Sequence, residues 1–147
     1  MISAGQKVNK LMQDFFTAYF NERDYKAAAG FLREDIRWIG LGAVCSARDR
    51  SEAVKFLQAE IAAAPYAVFF EYENVQNVML SETAAVFLCD LLLKKNKDGY
   101  DSDISIRVMA ACNCCDSVWK IAALHVSQTN MGPVSYTHLR AHETRGN

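Results

Sequence analysis

The feature that most constrains the fold is an order of patterns, in which a helical repeat comes first and long strand-like runs come last. From Val8 to Phe20, apolar side chains recur every three or four residues, which predicts one amphipathic helix of about four turns. The last strand-like run, residues 118–127, contains Leu124-His125-Val126-Ser127. Helices followed by a strand meander predict an α+β pocket domain with helices on one side of a sheet. The stripe on the first helix comprises Val8, Leu11, Met12, Phe15, Phe16, Tyr19 and Phe20.

The elements between these two patterns have recognisable starts and stops. Asp24 is placed to cap a short helix over residues 25–32, and Ile36, Trp38 and Ile39 then open the first strand. Asp49 and Glu52 have the spacing of a capping box, which predicts a helix that ends at Pro65. Strand-like runs follow at residues 67–79, 83–95, 103–114 and 118–127.

One turn predicts how two of these strands pair. Asp98-Gly99 is a strong hairpin signal, and a turn centred there places Asp90 directly opposite Arg107. Each charge interrupts an apolar run, where a paired charge is tolerated better than a lone one. The same register gives one wholly apolar face, which needs covering by helices or by a second subunit, and an opposite face that holds the charged pair. The apolar face comprises Phe87, Cys89, Leu91, Leu93, Ile104, Ile106, Val108 and Ala110.

Composition excludes several classes of protein. The 147 residues carry a net charge of −1 with no cluster of Lys and Arg, which argues against a nucleic-acid partner. No apolar run approaches the roughly 20 residues of a membrane span, and residues 1–7 lack the apolar core of a signal peptide. A cytoplasmic location is therefore expected. Five cysteines fit a reducing compartment and are interpreted as ordinary thiols, not as metal ligands.

The C-terminal segment is set apart from the domain. Residues 134–144, with the sequence VSYTHLRAHET, resemble a translated sequencing adapter, which is an artefact of assembled metagenomes. Artificial segments do not belong in an argument about the fold. Residues 1–130 are therefore predicted to form the domain and residues 131–147 to be a non-native or disordered tail. The native chain is expected to end near Pro133 or to continue into another domain.

Four motifs stand in a specific order along the chain. They are F-F-x-x-Y-F-x-x-R-D at residues 15–24, D-I-R-W-I-G-x-G at residues 35–42, the capped helix that begins after Asp49, and W-x-I-x-x-x-H-x-S at residues 119–127. Together they resemble the SnoaL-like branch of the nuclear transport factor 2-like (NTF2-like) superfamily over about residues 8–127. The resemblance implies a cone-shaped fold, with a curved antiparallel sheet wrapped by three helices around a cavity. It also implies a homodimer formed through the sheet.

The resemblance is closest to N-terminal modules of bacterial signalling proteins, which precede diguanylate cyclase or histidine kinase domains. The leading interpretation is therefore a non-catalytic domain that binds a small apolar or anionic ligand, or that dimerises, with no cofactor. The residues expected to line the cavity are Tyr19, Trp38, Tyr72, Asp90, Arg107 and His125.

Two alternatives stay open. Ketosteroid isomerase and polyketide cyclases of the superfamily use a pocket carboxylate as base and a tyrosine or an acid as donor. In this chain those roles would fall to Asp90 and to Tyr19 or Tyr72. A facing Arg107 would lower the pKa of Asp90, which counts against its use as a base. The other alternative is a structural dimerisation module with a filled cavity.

Overall fold

The architecture is an α+β domain, seen in a computed structural model that describes residues 2–40, 46–95 and 104–129. Within these ranges three α-helices pack on a six-stranded sheet, as expected. The helices are α1 (Ala4–Phe16), α2 (Tyr25–Gly30) and α3 (Arg50–Ala63), and a π-helical turn over Thr17–Asn21 extends α1. The strands are β1 (Leu32–Ile39), β2 (Ser46–Ala47), β3 (Phe69–Ser81), β4 (Ala84–Lys94), β5 (Ile104–Cys115) and β6 (Val118–Gln128).

Polar side chains begin the helices. The Asp24 carboxylate accepts a hydrogen bond from the Ala27 N–H, which confirms it as the cap of α2. That helix ends at Gly30 and not at residue 32, because Leu32 already pairs with Ile121 in the sheet. None of the helices in the described ranges is long and apolar enough to cross a membrane.

Helix α3 has the predicted cap in a modified form. The Asp49 carboxylate accepts from the Glu52 N–H at 2.8 Å. The Glu52 carboxylate accepts from the N–H of Arg48, one residue before the cap, and not from that of Asp49 as a capping box requires. The helix ends at Ala63, two residues before Pro65.

The sheet has the strand order β2-β1-β6-β5-β4-β3. Strands β4 and β5 are antiparallel with Asp90 opposite Arg107, so the predicted register is confirmed. The turn at Asp98-Gly99 lies outside the described residues, as does the C-terminal segment 131–147. One pairing departs from the expected antiparallel sheet, because β1 runs parallel to β6.

The two faces of the sheet have different neighbours. The helices cover the inner face, where Cys89, Leu91 and Val108 are buried, together with the whole apolar stripe of α1 and the π-helical turn. On the outer face Met109 is 50% exposed. Strand alternation therefore puts Arg107 on the outer face and its neighbour Val108 in the core.

Candidate functional site

A small chamber of about 170 Å³ lies between the helices and the inner face of the sheet. The π-helical turn supplies Tyr19 and Phe20 to its wall, α3 supplies Phe56 and Glu60, and β1 supplies Trp38. Departures from regular helix of this kind occur frequently at functional sites. The chamber is thus mainly apolar, with a few polar groups on its wall, which is the usual composition of a small-molecule site.

A tyrosine and a carboxyl group meet in this chamber. The Tyr19 hydroxyl donates a hydrogen bond to the Glu60 carboxylate. Burial raises the pKa of Glu60, and the bond from Tyr19 and the charge of Arg23 only partly oppose this effect. A carboxyl group with a raised pKa in a cleft is a functional-site candidate, because it takes up and releases protons closer to neutral pH.

Trp38, which lines the same chamber, has an unpaired donor. Its ring packs edge-on against Phe15, Tyr19 and Phe56, with centroid distances of 5.9, 6.0 and 5.1 Å. The side chain is 2% exposed, and its Nε1 has no acceptor among the described residues. Buried indole N–H groups usually find a partner, so this one requires an explanation.

Asp90, Arg107 and His125 lie in a separate groove of about 440 Å³ on the outer face. Asp90 accepts from Arg107 Nε at 2.9 Å and from Asn74 Nδ2 at 2.9 Å. The bond from Asn74, followed by that from Arg107, lowers the pKa of Asp90. The Arg107 side chain is 62% exposed, so the pair is a surface ion pair and does not belong to the chamber.

The six residues expected to line one cavity therefore lie in three places. Tyr19 and Trp38 share the chamber, and Asp90, Arg107 and His125 share the outer groove. Tyr72 lines a third hollow between α1 and β3, and burial raises the pKa of its hydroxyl. Expecting Asp90 inside the cavity was wrong because alternation places it opposite to its buried neighbours Cys89 and Leu91.

Sequence reasoning missed Glu60 and Phe56. Their spacing of four residues places them on the same side of α3, and Glu60 directly precedes Ile61, which is buried. A carboxylate at the border of an apolar helix face was the available signal. The start and end of this helix were predicted from the sequence, and no site residue was assigned to it.

Solved structures show what the fold is similar to. An NTF2-like protein of unknown function from Pseudomonas putida KT2440 has a TM-score of 0.76 at 12% identity, covering 91% of this chain and 94% of that one. The hexachlorocyclohexane dehydrochlorinase LinA-type3 from Novosphingobium barchaimii LL02 has a TM-score of 0.72 at 14% identity, covering 88% and 89%. A ketosteroid isomerase-like protein from Erwinia carotovora atroseptica SCRI1043 has a TM-score of 0.69 at 15% identity, covering 85% and 95%. These likenesses show the NTF2-like fold.

The family is shown by sequence. No curated protein matches the chain. Residues 8–131 match the model of the SnoaL-like domain, which spans all the described elements from α1 to β6 apart from the first turn of α1. The chain therefore belongs to the SnoaL-like family.

Proposed function

We propose that the domain binds a small, mainly apolar molecule in the chamber and recognises one hydrogen-bond acceptor on it. The aromatic walls supply apolar contact, and the chamber volume of about 170 Å³ suits a molecule built on a single ring. For comparison, an engineered apolar cavity of roughly 150 Å³ in another protein binds benzene.

The unpartnered indole N–H of Trp38 carries this proposal. Leaving a buried donor without a partner costs roughly 1–3 kcal/mol. A ligand carbonyl that reaches Nε1 from the chamber would remove that penalty, and the same ligand without the carbonyl would not. The indole therefore favours ligands that present an acceptor, in addition to the contact made by its ring.

Acetophenone and ethylbenzene form a matched pair for the test, since they differ chiefly in the carbonyl group. Calorimetric titration is expected to give tighter binding of acetophenone, by about tenfold. In the Trp38→Phe variant, which keeps an aromatic ring and removes the N–H, that preference should disappear. Equal affinities of the wild type for the two compounds, or binding of neither, would contradict the proposal.

A second candidate function is acid–base catalysis on a carbonyl compound, favoured by the contact between Tyr19 and Glu60. Glu60 has a raised pKa, which suits a general base near neutral pH. It would abstract a proton next to the carbonyl group, while Trp38 stabilises the resulting enolate oxygen by hydrogen bonding. This assignment replaces Asp90, whose pKa is lowered and which lies on the other face of the sheet.

Deuterium exchange at the methyl group of acetophenone in D2O, followed by NMR, tests the catalytic function. Glu60→Gln should reduce any catalysed exchange at least about 100-fold, whereas Asp90→Asn should leave it unchanged. If the wild type binds acetophenone and does not accelerate exchange, binding stands without catalysis. Equal loss in both variants would argue against Glu60 as the base.

The outer face supports self-association of the domain. Ile39, Val78 and Met109 are 59%, 47% and 50% exposed on it, and the register groups Met109 with His125 and Ile39. Large exposed apolar patches mark interaction surfaces, so we infer a homodimer formed through this face. A sensor role within a longer bacterial signalling protein and a cytoplasmic location stay predictions that the sequence alone supplies.

A further inference from the structure

Another cavity, called the vestibule here, adjoins the chamber. It has a volume of about 240 Å³ and shares Phe20, Glu60 and Leu93 with the chamber wall. Arg23 and Lys95 also line it. A molecule that occupied both cavities would therefore place one end beside these two cationic side chains.

Arg23 is held by backbone carbonyls and forms no ion pair with a carboxylate of the described residues, although its charge acts on Glu60. Its two terminal nitrogens donate to the backbone carbonyls of Tyr19 at 3.1 Å and Ala64 at 2.9 Å. Carbonyl oxygens carry no formal charge, so these bonds orient the guanidinium and do not neutralise it. The third nitrogen, Nε, is buried and has no partner among the described residues.

The backbone at Arg23 supports a role for the side chain. Its φ of 54° lies in the left-handed region, which residues with a Cβ rarely adopt. Glycine would take this conformation without a steric penalty. The guanidinium is held by its bonds to the Tyr19 and Ala64 carbonyls, and Arg23 lines the vestibule.

Lys95 supplies the second cation. Its ammonium lies over the Tyr66 ring at 4.7 Å from the centroid, and Tyr66 also lines the vestibule. Among residues 2–40, 46–95 and 104–129, no ion pair includes Arg23 or Lys95. Other cations of the sheet are paired, as Lys94 is with Glu71 and Arg107 with Asp90.

We infer that the ligand is an organic acid, with an apolar body of about one ring in the chamber and a carboxylate in the vestibule beside Arg23 and Lys95. This inference rests on the proposed function, since it requires the chamber to hold the apolar body. A hydrogen bond between a ligand carboxylate and a cationic side chain is charge-assisted, and it is about twice as strong as a neutral one.

Glu60 lines both cavities, so a ligand acid would lie near its carboxyl group. An ionised Glu60 would repel a ligand carboxylate, and burial weakens this effect because it disfavours ionisation and raises the pKa of Glu60. A protonated Glu60 carries an O–H and donates to a carboxylate instead of repelling it.

The test compares 3-phenylpropionate with 3-phenylpropanol by calorimetric titration of the full chain. These probes share the ring and the linker and differ in the charged group. The acid is expected to bind at least about tenfold more tightly. This preference should shrink as NaCl is raised from about 0.05 to about 0.5 M, because salt screens the attraction between the ligand carboxylate and the two cations. If the alcohol binds as well as the acid, the acid inference is wrong while the chamber proposal stands. If neither binds while acetophenone does, the acid inference is wrong and the chamber proposal stands; if acetophenone does not bind either, both are wrong.

Substitutions at three cationic residues test which of them causes the preference for the acid. Lys95→Gln should weaken binding of the acid by about threefold and leave the alcohol unchanged. Lys94→Gln removes the same charge at the neighbouring position, where the ammonium is bonded to Glu71, and should change neither affinity. Arg23→Gln should abolish the remaining preference. If that variant does not fold, the comparison of Lys95→Gln with Lys94→Gln and the salt dependence still test the inference. A preference for the acid that neither Lys95→Gln nor salt reduces would overturn it.

Discussion

At the scale of the residue, Glu60 shows how position determines chemistry. It lies four residues after Phe56 on α3, and its carboxylate meets the Tyr19 hydroxyl at the chamber wall. Burial raises its pKa, whereas hydrogen bonds from Asn74 and Arg107 lower that of Asp90 on the other face. Two carboxylates on opposite sides of one sheet are thus suited to different tasks.

The raised pKa of Glu60 has a consequence for stability. The folded state binds this proton more strongly than the unfolded state, so the contribution of Glu60 is greatest below its unfolded pKa of about 4.3 and falls as the pH rises through the folded pKa. Glu60→Gln keeps an acceptor for Tyr19. Its free energy of unfolding should therefore rise relative to that of the wild type as the pH is raised from about 4 to about 8. Urea unfolding across this range checks the trend, with Glu22→Gln as an exposed control. A wild-type advantage that grows with pH would contradict it.

At the scale of the element, α3 positions the chamber and depends on its first turn. Asp49 bonds the Glu52 N–H, and Glu52 in turn bonds the N–H of Arg48. The helix buries Ala53, Leu57 and Ile61 against the rest of the domain while placing Glu60 at the chamber. Loss of the cap should thus loosen the wall that carries Glu60.

Asp49→Ala is expected to cost about 1 kcal/mol of unfolding free energy, because Ala offers no acceptor for the orphaned N–H groups of the first turn. Urea denaturation measures the loss, and Ser51→Ala, an exposed change in the same turn, should be nearly neutral. A loss no greater than that of Ser51→Ala would show that the cap does not stabilise α3.

Elements were predicted better than the site, for a physical reason. Alternation and the Asp98-Gly99 signal are local, and they gave the pairing of Asp90 with Arg107 correctly. Which side of that pair faces the helices depends on packing across the whole domain. The indole of Trp38 was predicted as a cavity residue, but only the packed structure shows that its N–H lacks a partner.

At the scale of the whole molecule, the sheet separates two surfaces that differ in kind. The inner face is closed by helices around the chamber, and the outer face carries exposed Ile39, Val78 and Met109 beside a surface ion pair. The proposed homodimer would cover the outer face and leave the chamber within each subunit.

Met109→Glu is expected to shift the protein from dimer to monomer, since it places a charge among Leu88 and His125 in the middle of this face. Sedimentation equilibrium measures the change, which should raise the dissociation constant at least about 100-fold. Ile2→Glu, a change at another exposed apolar residue, serves as the control. A wild-type protein that is monomeric at all concentrations would contradict the homodimer.

The parallel neighbours β1 and β6 have a consequence for how the domain assembles. Leu32 pairs with Ile121, so the first and the last strand of the described residues are neighbours in the sheet. Contacts between segments so distant along the chain form slowly, because the intervening loop must first be closed. During synthesis, β1 therefore cannot pair with β6 until β6 has left the ribosome. Until then the unpaired edge of β1 is exposed to incorrect pairing.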